Sequence, residues 1–292
     1  MAILVFDIGG TSLKYAIWQD EELTEKNFFK SPSTWDEMKD LLVEIKEGFD
    51  ELCELDGVAI SSPGAVNQEA RTIEGISALP YLHHFPIYDE LEELFGLPVA
   101  IENDANCAAL AEVWKGAAKD NKNVLFVVVG TGIGGSVIVD KEVQHGAHLF
   151  GGEFGIMLLN EKETFSQLGT TVALAKRYNE RMDMTAKPVD GRTVFDLAER
   201  GDEVAVEEVN KFYRYLSMGL FNLTYAFDPE VILIGGGVSS RPDLLKKLNA
   251  EIEILMTELG LDIFRPVLDV CAYKNDANLI GAVYNFKSKH SN

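Results

Sequence analysis

Three glycine-rich segments could bring backbone N–H groups close to a phosphate, because only glycine allows such a close approach. The first reads Asp-Ile-Gly-Gly-Thr at residues 7–11, the second Gly-Thr-Gly-Ile-Gly-Gly at residues 130–135, and the third Gly-Gly-Gly at residues 235–237. The first two each contain a threonine whose hydroxyl can also bind a phosphate oxygen. Either turn alone would suit a tight β-hairpin without a ligand, but the three together predict a phosphate-binding site.

The second segment also matches the G-x-G-x-x-G pattern of dinucleotide-binding proteins. That function requires a helix directly after the glycines, with its N-terminus at the pyrophosphate. Here residues 136–139 are Ser-Val-Ile-Val, which favour a strand, and Asp140 and Lys141 then predict a turn. The sequence therefore argues against an NAD-binding fold, and it contains no G-x-x-x-x-G-K-[ST] phosphate loop.

Apolar strands lead into the glycine turns. Residues 2–6 and 124–129 precede the first two turns, each of these turns is followed by a second strand, and residues 231–234 lead into the third. Amphipathic or alanine-rich helices are predicted at residues 35–52 and 105–118. The alternation of strands and helices indicates an α/β fold, and the repeated strand–turn–strand unit indicates two related lobes.

A polar break at residues 119–123 is the best candidate for a boundary between the lobes. We expect an N-terminal α/β lobe over residues 1–118, with a C-terminal helix at about residues 278–292 that packs back on it. The C-terminal α/β lobe, residues 119–277, is expected to carry most of the nucleotide site.

The composition argues against several classes of function. With 47 acidic and 26 basic residues, the chain has a formal net charge of −21, which disfavours nucleic acid and anionic membranes as partners. The cysteines Cys53, Cys107 and Cys271 are far apart and predict neither a disulfide scaffold nor a cysteine-rich zinc site. No apolar stretch is long enough for a signal peptide or a transmembrane helix, so we expect a cytoplasmic protein.

The glycine turns and several further motifs resemble those of the ROK family of bacterial sugar kinases. Residues 7–11 with Lys14 resemble the first phosphate motif of that family, residues 129–135 its second, and residues 234–237 its adenosine motif. Further matches, in the order found in the family, are Ser-Pro-Gly at residues 62–64, Glu-Asn-Asp-Ala-Asn at residues 102–106 and Gly-Glu-Phe-Gly at residues 152–155. The resemblance covers essentially the whole chain.

The resemblance implies a two-lobed fold of the actin/hexokinase (ribonuclease H-like) type, with ATP on the C-terminal side and the sugar in a cleft between the lobes. It also implies transfer of phosphate from ATP, with Mg²⁺, to a sugar hydroxyl, usually the 6-hydroxyl of a hexose. Members of the family are commonly homodimers or larger. Some carry a DNA-binding helix-turn-helix, but here the first strand is predicted to start at residue 2, so we expect no such domain.

Asp104 is the candidate catalytic base, because phosphoryl transfer to an alcohol needs a group that accepts the hydroxyl proton. It lies where a predicted strand ends and a helix begins, so Asp104 or Asn103 could instead simply cap that helix. The resemblance implies the catalytic role for Asp104 and sugar binding by Asn103 and Asp104. It implies further contacts to the sugar from the backbone of Gly64 and from the carboxylate of Glu153.

The resemblance also assigns the residues that would bind the nucleotide. These are Asp7, Gly9, Gly10, Thr11, Lys14, Gly130, Thr131, Gly132, Gly235 and Gly236. Asp7 is expected to orient Mg²⁺ through water, because Mg²⁺ keeps most of its hydration shell, and a turn-capping role is the alternative. Lys14 could reach a phosphate or face solvent.

Two departures from the family pattern concern zinc and the sugar. The pattern has a histidine that ligates zinc and touches the sugar where this chain has Ile156, and its cysteine cluster is missing between residues 157 and 166. We therefore expect no zinc. The acid that contacts the anomeric end of the sugar corresponds loosely to Ser166. His145 and His148 lie nearby but lack partner ligands, and we expect exposed or loop histidines.

The loss of two polar groups at the anomeric end predicts a pocket that accepts a glycosidic substituent. We expect a kinase for β-glucosides such as cellobiose, with plain glucokinase and N-acetylmannosamine kinase as alternatives. Outside enzymes, a catalytically silent sugar sensor on the same fold is the alternative.

Overall fold

Strands and helices alternate along the chain in the computed structural model, which describes residues 1–184, 186–273 and 275–290. They form two units, each built around its own five-stranded sheet. The first unit comprises Met1–Lys119, His145–Phe150 and the segment that begins at Ala272, and the second comprises Asp120–Gln144 and Gly151–Cys271.

The first unit has an α/β order. Its elements up to residue 115 are β1 (Ile3–Ile8), β2 (Ser12–Gln19), β3 (Glu22–Lys30), α1 (Trp35–Asp50), β4 (Gly57–Ser62), β5 (Ala65–Asn67), β6 (Thr72–Glu74), α2 (Ile87–Phe95), β7 (Val99–Asn103) and α3 (Asp104–Lys115). The sheet has the strand order β3-β2-β1-β4-β7, and the hairpin of β5 and β6 stands apart from it. β1 pairs antiparallel with β2 and parallel with β4, which pairs parallel with β7.

β1 lies at the centre of this sheet and is buried on both faces. Because successive side chains of a strand point to opposite faces, Leu4 and Phe6 pack into one core cluster, and Ile3 and Val5 pack into another. Each apolar side chain buried in this way contributes about 1.5–3 kcal/mol. Burial on both faces explains why the strand appears in the sequence as a continuous apolar run.

The second unit repeats this plan. Its elements are β8 (Val124–Val129), β9 (Ile133–Val139), β10 (Glu142–Val143), α4 (Phe165–Gly169), α5 (Thr171–Arg181), α6 (Gly191–Glu199), α7 (Glu203–Phe227), β11 (Val231–Gly235), α8 (Leu244–Leu259) and β12 (Leu268–Val270). The strand order is β10-β9-β8-β11-β12, with β8 antiparallel to β9 and parallel to β11. In each unit an antiparallel hairpin with a glycine turn is thus followed by parallel strands.

A last described helix, α9 (Ala277–His290), completes the first unit. Its buried side chains Leu279, Val283 and Phe286 share a core cluster with β1. Gly281 lies so close to α3 that a β-carbon there would stand 1.7 Å from the carbonyl oxygen of Cys107. Only glycine therefore permits this approach of the two helices.

Among the described residues, no helix has both the length and the apolar character that crossing a bilayer requires.

Candidate active site

The corner between β7 and α3 holds the candidate base. Asn103 is the N-cap of α3, and its side-chain Oδ1 accepts hydrogen bonds from the backbone N–H groups of Ala105 and Asn106 at 2.9 and 3.2 Å. Its Nδ2 donates to the carbonyl oxygen of Gly64 at 3.0 Å. Asn103 therefore caps the helix. Asp104 is the first residue of the helix and is half-buried.

The electrostatics of Asp104 favour a carboxyl that binds protons more tightly than usual. Burial raises its pKa above the ordinary value, a hydrogen bond from the N–H group of Ala105 opposes this change, and the negative charge of Asp7 raises the pKa further. A carboxylate that is costly to keep ionised gains more from taking a proton. The position can therefore support general-base chemistry.

Gly64 follows β4 in a left-handed conformation, with φ of +99°. A β-carbon at this position would lie 2.7 Å from Cγ2 of Ile73 and 2.8 Å from Cε1 of His83. Glycine is therefore required by both conformation and space. The sequence placed Gly64 and Asn103 in one site, and the structure brings them into direct hydrogen-bond contact.

Asp7 occupies the end of β1, beside the first glycine turn, and is buried. Its Oδ2 forms an ion pair with Nζ of Lys14 at 3.0 Å. Its Oδ1 accepts hydrogen bonds from Oγ of Ser61 at 2.9 Å and Nδ2 of Asn278 at 3.0 Å. The sequence did not decide whether Lys14 reaches a phosphate or faces solvent. In the structure Lys14 is half-buried and its ammonium group contacts Asp7.

The first glycine turn is closed by a backbone hydrogen bond and has two exposed residues. The N–H group of Gly9 bonds the carbonyl oxygen of Ser12 at 3.0 Å, closing the turn between β1 and β2. A β-carbon on Gly10 would stand 2.7 Å from that of Ala78. Gly10 and Thr11 are exposed, so their polar groups are accessible to a ligand.

The residues at Asp7 fit a water-mediated Mg²⁺ site. A carboxylate offers about four lone-pair sites, and three of those on Asp7 already accept hydrogen bonds. No further donor among the described residues reaches Asp7, so the remaining site, on Oδ2, can accept from a water of a hydrated ion. Within the described part of the chain, no group of three or more His, Cys, Asp or Glu side chains is arranged to hold a metal. The ion would therefore depend on phosphate oxygens and water for most of its ligands.

The second glycine turn joins β8 to β9 and is supported by Ser166. The N–H group of Gly130 bonds the carbonyl oxygen of Gly132 at 2.9 Å, and Gly130 and Thr131 are exposed. Oγ of Ser166 accepts a hydrogen bond from the N–H group of Ile133 at 2.8 Å. The serine hydroxyl is thus engaged in fixing the turn, a role that the sequence did not suggest.

The third glycine turn lies next to the second, because β8 and β11 are paired parallel neighbours with Val128 opposite Gly235. Gly236 has φ of +84°, and a β-carbon there would stand 2.2 Å from the carbonyl oxygen of Val129. Positive φ and this close approach both require glycine. The structure thus brings the last residue of β8 against the turn that follows β11.

A cavity of about 520 Å³ opens between these two turns and the helices of the second unit. Apolar side chains, among them Val172 of α5 and Phe195 of α6, share its walls with polar groups. The lining comprises Val129, Gly130, Thr171, Val172, Ala175, Asp190, Gly191, Arg192, Phe195, Gly237, Val238, Ser240 and Arg241. Most of these residues were missed from sequence, because they come from α5, α6 and the turn after β11 and share no local motif.

Glu102 and His145 form a hydrogen-bonded pair that the sequence did not reveal. Nε2 of His145 lies 2.9 Å from Oε2 of Glu102, which is buried. The expectation that His145 is a loop residue is met, but it has a carboxylate partner. His148 is exposed.

Comparison with known proteins identifies the family. The family model described as "ROK family" matches residues 3–289. A β-glucoside kinase of Listeria monocytogenes is 36% identical over 98% of this chain and 97% of its own length. A β-glucoside kinase of Klebsiella pneumoniae is 35% identical over 98% of this chain and 96% of its own. The crystal structure of a ROK family protein from Streptococcus pneumoniae in complex with sucrose is 35% identical, with a TM-score of 0.89 over 99% of both chains.

This chain belongs to the ROK family. The resemblance found in the sequence is confirmed, as is the two-lobed actin/hexokinase-type fold shared with these kinases. As a ROK-family protein with β-glucoside kinases as full-length relatives, the chain is a carbohydrate kinase.

Ile156, at which this ROK chain departs from the family pattern, and the candidate sugar ligand Glu153 both lie in the second unit. Ile156, where the pattern has a zinc-binding histidine, is 66% exposed at the end of the 3₁₀ turn Phe154–Ile156. Glu153, the candidate sugar ligand, is exposed and precedes the same turn. That Ser166 marks the anomeric end stays a prediction.

Proposed function

We propose that this protein transfers the terminal phosphoryl group of ATP to the 6-hydroxyl of a glucose-type sugar, with β-glucosides as preferred substrates and Asp104 as the base. The observation that carries the proposal is the β7–α3 corner. There a half-buried carboxyl with a raised pKa stands at the start of a helix, beside an asparagine fixed to the Gly64 loop. This arrangement supplies a proton acceptor in a rigid setting.

The cavity of the second unit is the proposed adenosine site. Its volume of about 520 Å³ and its mixed apolar and polar lining suit a nucleoside. Gly235 and Gly236 directly precede Gly237 in its lining, Gly130 closes the neighbouring turn with its own N–H group, and Thr131 and Gly132 offer backbone N–H groups for phosphate. In the first unit we assign the same role to the N–H groups of Gly10 and Thr11, with Gly9 closing the turn, since exposed glycine turns bind anions without surplus positive charge.

In the proposed reaction, the sugar hydroxyl oxygen forms a bond to the γ-phosphorus while the bond to the β-phosphate oxygen breaks, and ADP leaves. Asp104 accepts the hydroxyl proton, and Asn103, Gly64 and Glu153 bind neighbouring hydroxyls. Lys14 and the turn N–H groups offset negative charge on the phosphates. Mg²⁺, held by Asp7 through water, would supply the remaining charge neutralisation when bound.

The substrate class is supported by the relatives and by Ile156. Two full-length relatives are named β-glucoside kinases, and the related Streptococcus pneumoniae structure holds the disaccharide sucrose. An isoleucine in place of the family histidine cannot hydrogen-bond a free sugar hydroxyl, and a hydroxyl that becomes buried without a partner when the sugar binds would cost about 1–3 kcal/mol. A glycoside has no such free hydroxyl, because its anomeric oxygen carries the substituent.

A substrate panel tests the proposal. ADP release would be measured with ATP, Mg²⁺ and one of four sugars: glucose, cellobiose, an aryl β-glucoside or N-acetylmannosamine. We expect kcat/KM for the β-glucosides to equal or exceed that for glucose, with phosphate at the 6-position by NMR. A preference of tenfold or more for glucose, about 1.4 kcal/mol, would contradict the substrate assignment and favour a glucokinase. A preference for N-acetylmannosamine would favour an N-acetylmannosamine kinase. Sugar binding without ADP release would favour a catalytically silent sensor.

We further propose a cytoplasmic homodimer without nucleic-acid or membrane partners. The net charge of −21 supports the exclusion of anionic partners. Light scattering of the purified protein would test the dimer, which predicts twice the chain mass of 32.3 kDa.

A further inference from the structure

Glu102 is a buried carboxylate that directly precedes the proposed sugar-binding and catalytic residues, and its exposed fraction is 1%. Its Oε2 accepts hydrogen bonds from Nε2 of Gln68 at 2.8 Å and pairs with Nε2 of His145 at 2.9 Å. Its Oε1 accepts from the backbone N–H group of Asn103 at 2.8 Å and from Nδ2 of Asn106 at 3.0 Å. All four of its lone-pair sites are therefore in use.

A charge in such a place has to be compensated. Burial acts to raise the pKa of the Glu102 carboxyl, but His145, Asn106 and the N–H group of Asn103 together hold it below its ordinary value. An ionised, buried carboxylate that loses a partner is strongly destabilised. Of its four partners, His145 is the one that can carry a positive charge.

His145 reaches this carboxylate from a separate part of the chain. Residues 145–150 belong to the first unit although the segments on either side belong to the second. The imidazole is thus held on a short segment and meets a residue 43 positions earlier. Nothing in the proposed reaction requires this histidine to touch the substrate.

The hydrogen bonds form a connected path to the proposed base. His145 bonds Glu102, Glu102 bonds the backbone of Asn103, and Asn103 caps the helix that begins at Asp104. The other end of the Asn103 side chain bonds the Gly64 carbonyl. A shift of Glu102 would therefore move the Asn103 backbone and, with it, the direction of the Asp104 carboxylate.

We propose that His145 is a positioning residue for phosphoryl transfer, which acts through Glu102 to fix the Asn103–Asp104 corner. The inference rests on the proposed role of Asp104 as base. It predicts an effect on turnover, because small misplacements of a catalytic group are costly, up to 10²-fold for about 1 Å. It predicts little effect on the binding of ATP, whose proposed adenosine cavity is lined by other residues.

The test compares His145→Ala with His145→Gln, and His148→Ala serves as the matched control on the same loop. For His145→Ala we expect kcat to fall about tenfold or more, with KM for ATP within twofold of wild type. The amide of His145→Gln can still donate to Glu102. We therefore expect its decrease in log kcat to be at most half of that in His145→Ala. For His148→Ala, with its exposed side chain, we expect wild-type kinetics.

A double-mutant cycle with Glu102→Gln separates positioning from general stability. If His145 acts through Glu102, the double variant should lose no more turnover than the worse single variant. Additive losses, or an equal loss of kcat in His145→Gln and His145→Ala, would overturn the proposal. If His145→Ala fails to fold, His145→Gln and Glu102→Gln complete the comparison, and a kcat for Glu102→Gln within twofold of wild type would overturn it. Failure of the wild-type protein to phosphorylate any sugar would instead reject the proposed function.

Discussion

The side-chain amide of Asn103 joins the end of β7 to the loop of Gly64, because its Nδ2 donates to the Gly64 carbonyl oxygen at 3.0 Å. The same side chain caps α3 through Oδ1. One amide group therefore orients both sides of the proposed sugar site in the first unit. Only one N–H bond of Nδ2 remains for a substrate hydroxyl.

Asn103→Asp separates these two tasks, since aspartate caps a helix as well as asparagine but cannot donate to a carbonyl. We expect the free energy of unfolding to stay within about 1 kcal/mol of wild type. KM for the sugar should rise about tenfold, as expected for the loss of a hydrogen bond of about 1.5 kcal/mol. Asn249→Asp, an exposed change on α8, is the control. A sugar KM within twofold of wild type would contradict this role.

Asp104→Asn removes the proposed base. We expect kcat to fall by about 10²–10⁴-fold with smaller changes in KM. Because the pKa of Asp104 is raised in the folded state, ionised Asp104 destabilises the fold, so stability at neutral pH should stay the same or increase. Steady-state kinetics and urea unfolding would measure both. Asp262→Asn is the control, since its side chain is fully exposed. Turnover near that of wild type would show that another group accepts the proton.

The pH dependence of activity should report Asp104. Because the base acts when deprotonated and its pKa is raised, kcat/KM should fall with decreasing pH through a pKa above 3.8. The charge of Asp7 contributes to this rise, so Asp7→Asn should lower the pKa of Asp104. Carboxyl NMR titration of the free protein would detect that shift independently of activity. An unchanged or higher pKa in Asp7→Asn would refute the coupling.

Gly155→Ala tests the support of the second glycine turn. A β-carbon there would stand 2.1 Å from the carbonyl oxygen of Ile133 and 2.3 Å from Oγ of Ser166. Overpacking of this kind costs about 1–3 kcal/mol, and the displaced turn should raise KM for ATP. Gly48 lies on the exposed side of α1, where an added β-carbon would meet no neighbouring group within 4 Å. Gly48→Ala should therefore raise the free energy of unfolding by about 1 kcal/mol. Thermal unfolding of both variants gives the change in Tm for each. Equal changes in Tm would be inconsistent with the turn geometry.

The purified protein should hold no structural zinc. Such sites use four Cys or His ligands, and the chain has Ile156 at the position of the family histidine. Elemental analysis after dialysis is the measurement. One zinc per chain that survives dialysis would prove the expectation wrong.

The parts of the fold that were predictable from sequence are those with strong local patterns. β1 and β8 are buried on both faces and appear as largely apolar runs just before a glycine turn. β3 was not predicted, because this edge strand is exposed along nearly all its length and shows no alternation. The five helices α4 to α8 were also not assigned, although α7 alone spans 25 residues.

The same limit applies to the site. Asn103, Asp104 and Gly64 could be found because each lies at the end of a strand, where short motifs are informative. The pairing of Glu102 with His145 joins residues 43 positions apart and has no local signal. One clue was available: a glutamate that continues the buried run of β7 must find a partner inside the protein. Which residue supplies that partner is decided by tertiary structure.

The dependence of the first unit on α9 has a consequence for the order of folding during synthesis. Every residue of the second unit leaves the ribosome before α9 does, although β1, the strand that α9 covers, is made before the second unit. Until then Ile3 and Val5 lack Phe286, and α3, which begins at Asp104, lacks the helix that crosses it at Gly281. Nascent chains that end before Phe286 should therefore expose this apolar face and engage chaperones. The second unit, whose segments are already complete, can fold first.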